Sequence, residues 1–522
     1  MRYAPRRVRL SRLSPLLVAG LSLAYLLTYP LAIGRADESH LLYGAKRVLA
    51  GQVIYRDFFE GITPLGFYLV AGVYRLAGTT LLAARIAIAI TVAIGSALLF
   101  QLVRRVAGLA EAVLAALVFV GLCVPAWPYV SAHWLSTTLG LAVAALTLSA
   151  RWAGSSRARP ALAGVLAGMA ICVQQQRGVF LAAWLPAALG VLSLALPRPE
   201  RWRVLARELA WTAAGGALLT GLVLGQAAWA ASPAAMIEML YGFAVHRYGP
   251  VQSGRHPWAA VLPFTESWAL STWIWLLRGA PLLLVGEAVR LVLRARVAWT
   301  RGDLERACLW MLAVLMALSV VYLPDFIHVS FVLPFILLPG ASLLHAVRTA
   351  ALWARWPAGR HLVTAAVWLF AAAVAGQAVA NVAYARAIAP VRLATAFGEL
   401  RADPSVARLF QAVRHHLVPE PDGRVLLYSY PDDAWLYLAL PADDSTRFSV
   451  LVAGFFPPEY VDEVLATLRA RLPGTVVLAL PATPEQVRQV VEEGYEAVED
   501  VQGYRVFVRR ASPGFAHPSP SG

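Results

Sequence analysis

Two adjacent carboxylates, Asp37 and Glu38, follow directly on the first long apolar run of the chain. Residues 14–33 carry no charge, and about twenty such residues suffice to cross a bilayer. Beyond the pair comes His40, and then a second polar group, Arg56, Asp57 and Glu60, within YRDFFEGITPLGFY. Carboxylates are costly in hydrocarbon, so acids gathered at the exit of a span mark a water boundary that a lipid-borne substrate could reach. The chemistry they offer there is proton transfer or, if the loop folds back on itself, cation binding by Asp37, Glu38, His40 and Asp57. Further along, Asp325 and His328 lie one helical turn apart at the mouth of another apolar run, a spacing that places both on one face. Gln174, Gln175, Gln176 and Arg177 form a polar break in surroundings that are otherwise apolar.

Composition fixes the class of element that must position these groups. Hydrophobic residues make up 59% of the chain and charged residues 14%, against about 25% charged in an average soluble domain. Long apolar runs recur, which makes the chain a polytopic helical membrane protein. The first run is longer than a signal-peptide core and no small-residue cleavage pattern follows it, so it reads as a retained span. Residues 1–390 are net +20 and residues 391–522 net −5, a division into a basic membrane body and an acidic polar tail. Nucleic-acid binding is excluded, because a basic stripe needs a soluble face to lie on. Cys123, Cys172 and Cys308 all fall in apolar spans, so neither a disulfide framework nor a CxxC metal site is present.

The spacing of the apolar runs predicts about eleven spans: 14–33, 80–103, 108–126, 133–150, 160–176, 178–197, 209–231, 268–289, 305–323, 327–347 and 361–380. On this count the arginines at 2–12, 104–105, 151–159, 198–207, 290–306 and 348–360 share one side, which the positive-inside rule makes cytoplasmic. The N-terminus is then cytoplasmic in a plasma-membrane protein, and the acidic loop 34–79 and the tail are extracytoplasmic. Two segments invite alternatives. Arg278 interrupts 268–289, so residues 264–296 are either one span or a re-entrant helix plus a span. Spans 160–176 and 178–197 need a tight turn or a kink between them. In loop 34–79, Leu41, Leu42, Ala45, Val48 and Leu49 recur at helical spacing up to Gly51, and Thr63-Pro64 restarts a helix. Both predict helices in the interface plane, apolar face towards the lipid.

The tail reads as a small α/β domain over 391–511. A helix is expected through 391–416, strands at 425–430 and 475–480, a helix from Pro457 to Leu472, a helix from Pro484 capped by Thr483 and closed by Gly494, and a final strand in YRVFVRR. It carries no phosphate loop or catalytic triad, which points to a lid or partner-binding role. Residues 512–522 read as a disordered end.

The succession of a first span, an outward Asp-Glu, a Tyr-Gly-Ala-x-Arg helix, a glycine and a Tyr-Arg-Asp-Phe block followed by an acid, a proline and a tyrosine resembles the bacterial GT-C glycosyltransferases. These include relatives of the protein O-mannosyltransferases and the lipid A aminoarabinose transferases. The motif covers Asp37 to about Arg85, and the helix count, outer loop and polar C-terminal domain extend the likeness over the chain. The resemblance implies transfer of a hexosyl or pentosyl group from a polyprenyl-phosphate donor to a glycan, glycolipid or protein acceptor at the outer membrane face, usually with inversion. It puts the first acid after span one beside the acceptor nucleophile, so Asp37 is expected to take the hydroxyl proton, with Glu38 holding the acceptor, positioning Asp37 or pointing away. A departing lipid phosphate calls for cations or hydrogen-bond donors. Lys46, Arg56, Arg177, Arg247, Arg255 and His328 are candidates, with Asp57, Glu60 and Asp325 as further substrate contacts. Relatives often carry Lys-Gln-x-x-Gly where this chain has Gln174-Gln175-Gln176-Arg177-Gly178. No cofactor is expected to be essential, although the acids leave a divalent cation open. A flippase of lipid-linked sugars is the alternative, but it would favour mid-membrane charges and a pseudo-repeat. A non-catalytic assembly protein would have no reason to gather acids on one face.

Overall fold

Apolar runs in hydrocarbon must bond their own backbone groups, which restricts them to helices, and among the described residues each of the eleven predicted stretches contains a helix, the first ending at Leu26 and not at residue 33. In chain order the computed structural model has α1 (Pro5–Leu26), the loop helices α2 (Asp37–Leu49) and α3 (Leu65–Ala77), then α4 (Leu81–Val106), α5 (Leu109–Ala126), α6 (Ala132–Ser149) and α7 (Ala158–Val173). There follow α8 (Gln175–Ser193), α9 (Arg198–Ala230), α10 (Pro233–Ile237, prolonged as a π-helix over Glu238–Tyr248), α11 (Trp268–Ala295), α12 (Arg301–Leu318), α13 (Phe326–Arg348) and α14 (Pro357–Ile388). The structure describes residues 5–34, 37–149, 157–248, 268–297, 299–321, 326–350, 353, 355–420, 422–430, 434–451, 456–470 and 472–510, with side chains of 5–13 and 268–278 outside the description.

Among the described residues six helices (α4, α5, α6, α9, α13 and α14) are long and apolar enough to cross a membrane by length and composition alone. Together with the shorter apolar helices they make a multi-pass membrane protein. α11 runs unbroken through the segment in which Arg278 raised the re-entrant alternative. Only Gln174 (φ −156°, ψ 100°) separates α7 from α8. The tight reversal there needs Gly178, since a Cβ on it would lie 2.2 Å from the Cα of Ile171. α7 and α9 likewise approach through Gly164, Gly168 and Gly215, the small-residue packing by which membrane helices gain contact.

The loop helices differ from expectation in what covers them. The apolar side of α2 is buried by protein: Leu42 and Ala45 are fully enclosed, and Gly44 meets Phe67 of α3 so closely that a Cβ would clash at 2.6 Å. The cover comes from the C-terminal region, which folds back over the loop. Residues 391–416 do not form one helix. They make a hairpin, β1 (Val391–Thr395) with β2 (Gly398–Ala402), and then α15 (Pro404–His415). Gly398 at φ +96° permits the turn, and Asp403 caps α15 by accepting from the Ser405 and Val406 amides. The small sheet domain continues through β3 (Leu426–Tyr430), α16 (Ala434–Ala439), β4 (Asp443–Asp444), α17 (Pro458–Arg469), β5 (Thr475–Ala479), α18 (Glu485–Gly494), β6 (Tyr495–Val501) and β7 (Tyr504–Arg509). Strand order is β4-β3-β5-β7-β6, parallel through β4, β3 and β5 and antiparallel at β7 and β6. Thr483 does not cap α18; its hydroxyl donates to the Ala479 carbonyl instead. Backbone hydrogen bonds pin the C-terminal region to the membrane body, from Arg401 N to Leu31 O (2.9 Å), Leu81 N to Phe397 O (3.2 Å) and Phe59 N to Arg447 O (3.0 Å).

Candidate functional site

The two acids of the opening pair face different ways. Glu38 is fully buried, and its carboxylate takes two bonds from Arg85 of α4 (Nε to Oε1 2.7 Å, Nη2 to Oε2 2.8 Å). The amides of Gly34 (2.6 Å) and Val130 (2.8 Å) also donate to it. Arg85 further donates to the carbonyls of Pro128 and Ala32 and lies 5.0 Å from the Tyr129 ring centre. This clamp joins the exit of α1, the first turn of α2, α4 and the loop before α6. Asp37, by contrast, is exposed on the first turn of α2. The clamp therefore holds the helix turn that presents Asp37, and the position favours an anion because helix N-termini carry partial positive charge.

One turn further along α2, His40 reaches the buried Glu60 (Nε2 to Oε2 2.8 Å) and Ser449 of the sheet domain (2.9 Å). Glu60 also accepts from the Ile62 amide at 3.1 Å. Asp57 is engaged by its neighbour Arg56 (2.8 and 2.9 Å) and by the Val53 amide (2.7 Å). The bond from Arg56 is the main reason its carboxyl lies below the usual range. Lys46 reaches the C-terminal domain and donates to the Tyr437 carbonyl (2.8 Å), with Asp443 at 3.6 Å; desolvation pulls its ammonium below the ordinary lysine value. Beside it, Arg47 donates to Gln52 (2.6 Å) and the Asp57 carbonyl (2.9 Å), and Tyr43 stacks 4.9 Å from Tyr437. Lys46, Arg56 and Asp57 are thus occupied with protein groups. The set Asp37, Glu38, His40 and Asp57 is not gathered round one point, and among the described residues no three of His, Cys, Asp and Glu stand close enough to hold a metal ion.

A second polar cluster forms where α6, α8 and α13 meet. Arg177 is 2% exposed and donates to the His133 carbonyl (3.2 Å), Ser136 (3.3 Å) and Thr137 (3.3 Å), with its guanidinium 5.3 Å from the Phe331 ring centre. His133 stacks on Phe331 at 4.5 Å and meets His328 edge-on at 5.4 Å, while Gln174 joins His133 (2.7 Å) and Ser136 (2.8 Å). Next in sequence, Gln175 accepts from the Thr63 amide (3.2 Å) and donates to the Gly61 carbonyl (2.9 Å). The polar break before α8 therefore ties this cluster to the loop that carries Glu60. His133 has no place in the sequence motif. Its signal was a single histidine at the mouth of a span, level with Arg177 and His328. Arg247 is exposed at the end of the π-helix, and Arg255 and Asp325 lie outside the described residues. An apolar cavity of about 180 Å³ opens between α1 and α4, with Arg85 and Tyr129 in its wall; Asp37 does not line it.

Solved structures match this multi-pass helical body with its loop helices and C-terminal sheet domain. ArnT from Cupriavidus metallidurans, bound to undecaprenyl phosphate, superposes with a TM-score of 0.56 at 15% identity, covering 99% of this chain and 100% of that one. The oligosaccharyltransferase AglB from Archaeoglobus fulgidus, in complex with an inhibitory peptide and a dolichol-phosphate, gives 0.55 at 14% identity over 90% of this chain and 69% of that one. The mycobacterial arabinofuranosyltransferase AftD gives 0.51 at 16% identity over 98% of this chain and 40% of that one. No protein-family model matches the chain, and no curated protein sequence does. The chain has the GT-C fold.

Proposed function

We propose that this protein is a glycosyltransferase that moves a sugar from a polyprenyl-phosphate donor to an envelope acceptor on the extracytoplasmic face of the membrane. The observation that carries this reading is the exposed Asp37, presented on the first turn of α2 by the buried Glu38–Arg85 clamp, within a fold shared with a transferase bound to undecaprenyl phosphate. In the proposed step an acceptor hydroxyl oxygen attacks the anomeric carbon and gives its proton to Asp37. The bond from that carbon to the phosphate oxygen breaks, and the lipid phosphate leaves with the electron pair. Attack from the face opposite the leaving group inverts the anomeric centre. Arg177 and His328 are the groups assigned to the departing phosphate, where a charged donor in dry surroundings is worth most. Glu60 with His40 is assigned to the acceptor side. Glu38, Lys46, Arg56 and Asp57 act through the position of α2 and its loop. No metal is assigned to the step.

Mass spectrometry of envelope glycans and glycolipids from cells lacking the protein tests the reading. It should find one sugar decoration missing and its polyprenyl-phosphate donor accumulated, both restored by the wild-type chain. Unchanged glycans and donor pool would overturn the assignment.

A further inference from the structure

The helices that carry the candidate site also lead away from it. α4 runs from Arg85 to Val106, and α13 runs from His328 to Arg348, a path of about 30 Å at 1.5 Å per residue. Where they end, the start of α5, the end of α13 and the start of α14 border an open cavity of about 570 Å³ lined by Gly108, Glu111, His345, Arg348, Arg360 and His361 among others. We propose that this cavity binds a phosphate group, at the end of the bundle opposite the sugar-transfer site.

The charge arrangement carries the inference. Glu111 is 3% exposed and is neutralised within the protein by Arg348 (2.6 Å), with His345 Nδ1 at 3.5 Å. That pair fixes one wall and leaves the exposed Arg360 and His361 on the other, neither of them in an ion pair among the described residues. Gly108 keeps the floor open, since a Cβ there would stand 2.7 Å from Glu111 Oε2 and 3.4 Å from His345 Nδ1. A second, independent feature sets the depth. Trp353 and Trp356 lie 5.8 Å apart just before α14, and Trp353 donates its indole N–H to the Val347 carbonyl. Tryptophans gather at the headgroup level of a bilayer, so the mouth of the cavity lies where lipid phosphates are. An arginine that merely snorkels to the interface would point to water alone; here Arg360 shares one cavity with His361, His345 and the Glu111–Arg348 pair. Basic pockets between helices at this depth suit anionic headgroups, and the same chemistry would take a soluble phosphate.

Thermal unfolding and native mass spectrometry of the full chain in neutral detergent, titrated with phosphatidylglycerol, phosphatidylcholine or inorganic phosphate, test the proposal. The variant is R360Q/H361N, which leaves the Glu111–Arg348 pair in place and changes exposed side chains; its unfolding temperature without added ligand checks that it folds. Preferential retention of phosphatidylglycerol, weakened about five-fold or more in the variant, supports a lipid headgroup as the ligand. Stabilisation by inorganic phosphate that the variant loses supports a soluble phosphate at the same site. Equal retention of the two lipids together with no effect of phosphate, or binding that the variant leaves unaltered, overturns the proposal. None of these readouts depends on sugar transfer.

Discussion

Asp37 and Glu38 are neighbours in sequence with opposite surroundings. Glu38 sits in a dry clamp in which each carboxylate oxygen receives bonds from Arg85 and a backbone amide. Removing one partner of such a buried pair leaves an uncompensated charge and costs on the order of 3–5 kcal/mol. Arg85→Ala should therefore lower the unfolding temperature in detergent markedly, while Asp37→Asn, on an exposed helix turn, should leave it within a degree or two of wild type, because exposed substitutions rarely exceed about 0.5 kcal/mol. Equal stability of the two variants would contradict the division of roles. The sequence marked both acids as a pair at a membrane boundary. The resemblance gave the proton to Asp37, but the role of Glu38 stayed open, because the partner that buries it is 47 residues away on α4.

The α2 helix links the membrane body to the sheet domain, and one contact there titrates. Asp444 on β4 has its Oδ2 sealed from solvent without a hydrogen-bond partner among the described residues, while its Oδ1 accepts from the Thr446 amide (2.8 Å) and hydroxyl (3.0 Å), and its own amide donates to the Tyr43 hydroxyl (2.8 Å). Burial pushes its carboxyl up to about 7, against the attraction of Arg47 and with a smaller push from Asp443. The folded state then holds a proton between about pH 4 and pH 7 that the unfolded chain releases. Stability should fall as pH rises across that window and level off above it. Asp444→Asn should flatten this fall in thermal unfolding compared between pH 5 and pH 8; an identical slope in wild type and variant would remove Asp444 as its source. This docking was beyond a local reading. The spacing of Leu41, Leu42 and Ala45 announced an amphipathic helix, yet lipid and a folded-back domain can cover the same apolar face. For the same reason the hairpin at 391–402 was missed: Arg392, Leu393, Leu400 and Arg401 fit either period, and tertiary pairing chose the strand.

Among the described residues, the apolar helical stretches were readable because an apolar run in a bilayer has few alternatives. What escaped was how distant ends converge, such as His133, Arg177 and His328 from three helices and Gln174 from the break before α8. Orientation rests on the arginine distribution, and it is directly measurable. In a chain with Cys123, Cys172 and Cys308 replaced, single cysteines at position 57 and in the C-terminal domain should react with a membrane-impermeant maleimide in intact cells stripped of any outer barrier. Labelling that requires opening of the plasma membrane would invert the topology and remove the acidic loop from the extracytoplasmic face.

The central claim is that Asp37 takes the acceptor proton in sugar transfer from a lipid-linked donor. Its most direct test is the polyprenyl-phosphate-sugar pool and envelope glycans of deletion cells carrying either the wild-type chain or Asp37→Asn at equal membrane levels. The account predicts that the wild type restores the missing sugar and drains the donor, while Asp37→Asn, inserted and folded, does neither. Equal restoration by the two chains would contradict it.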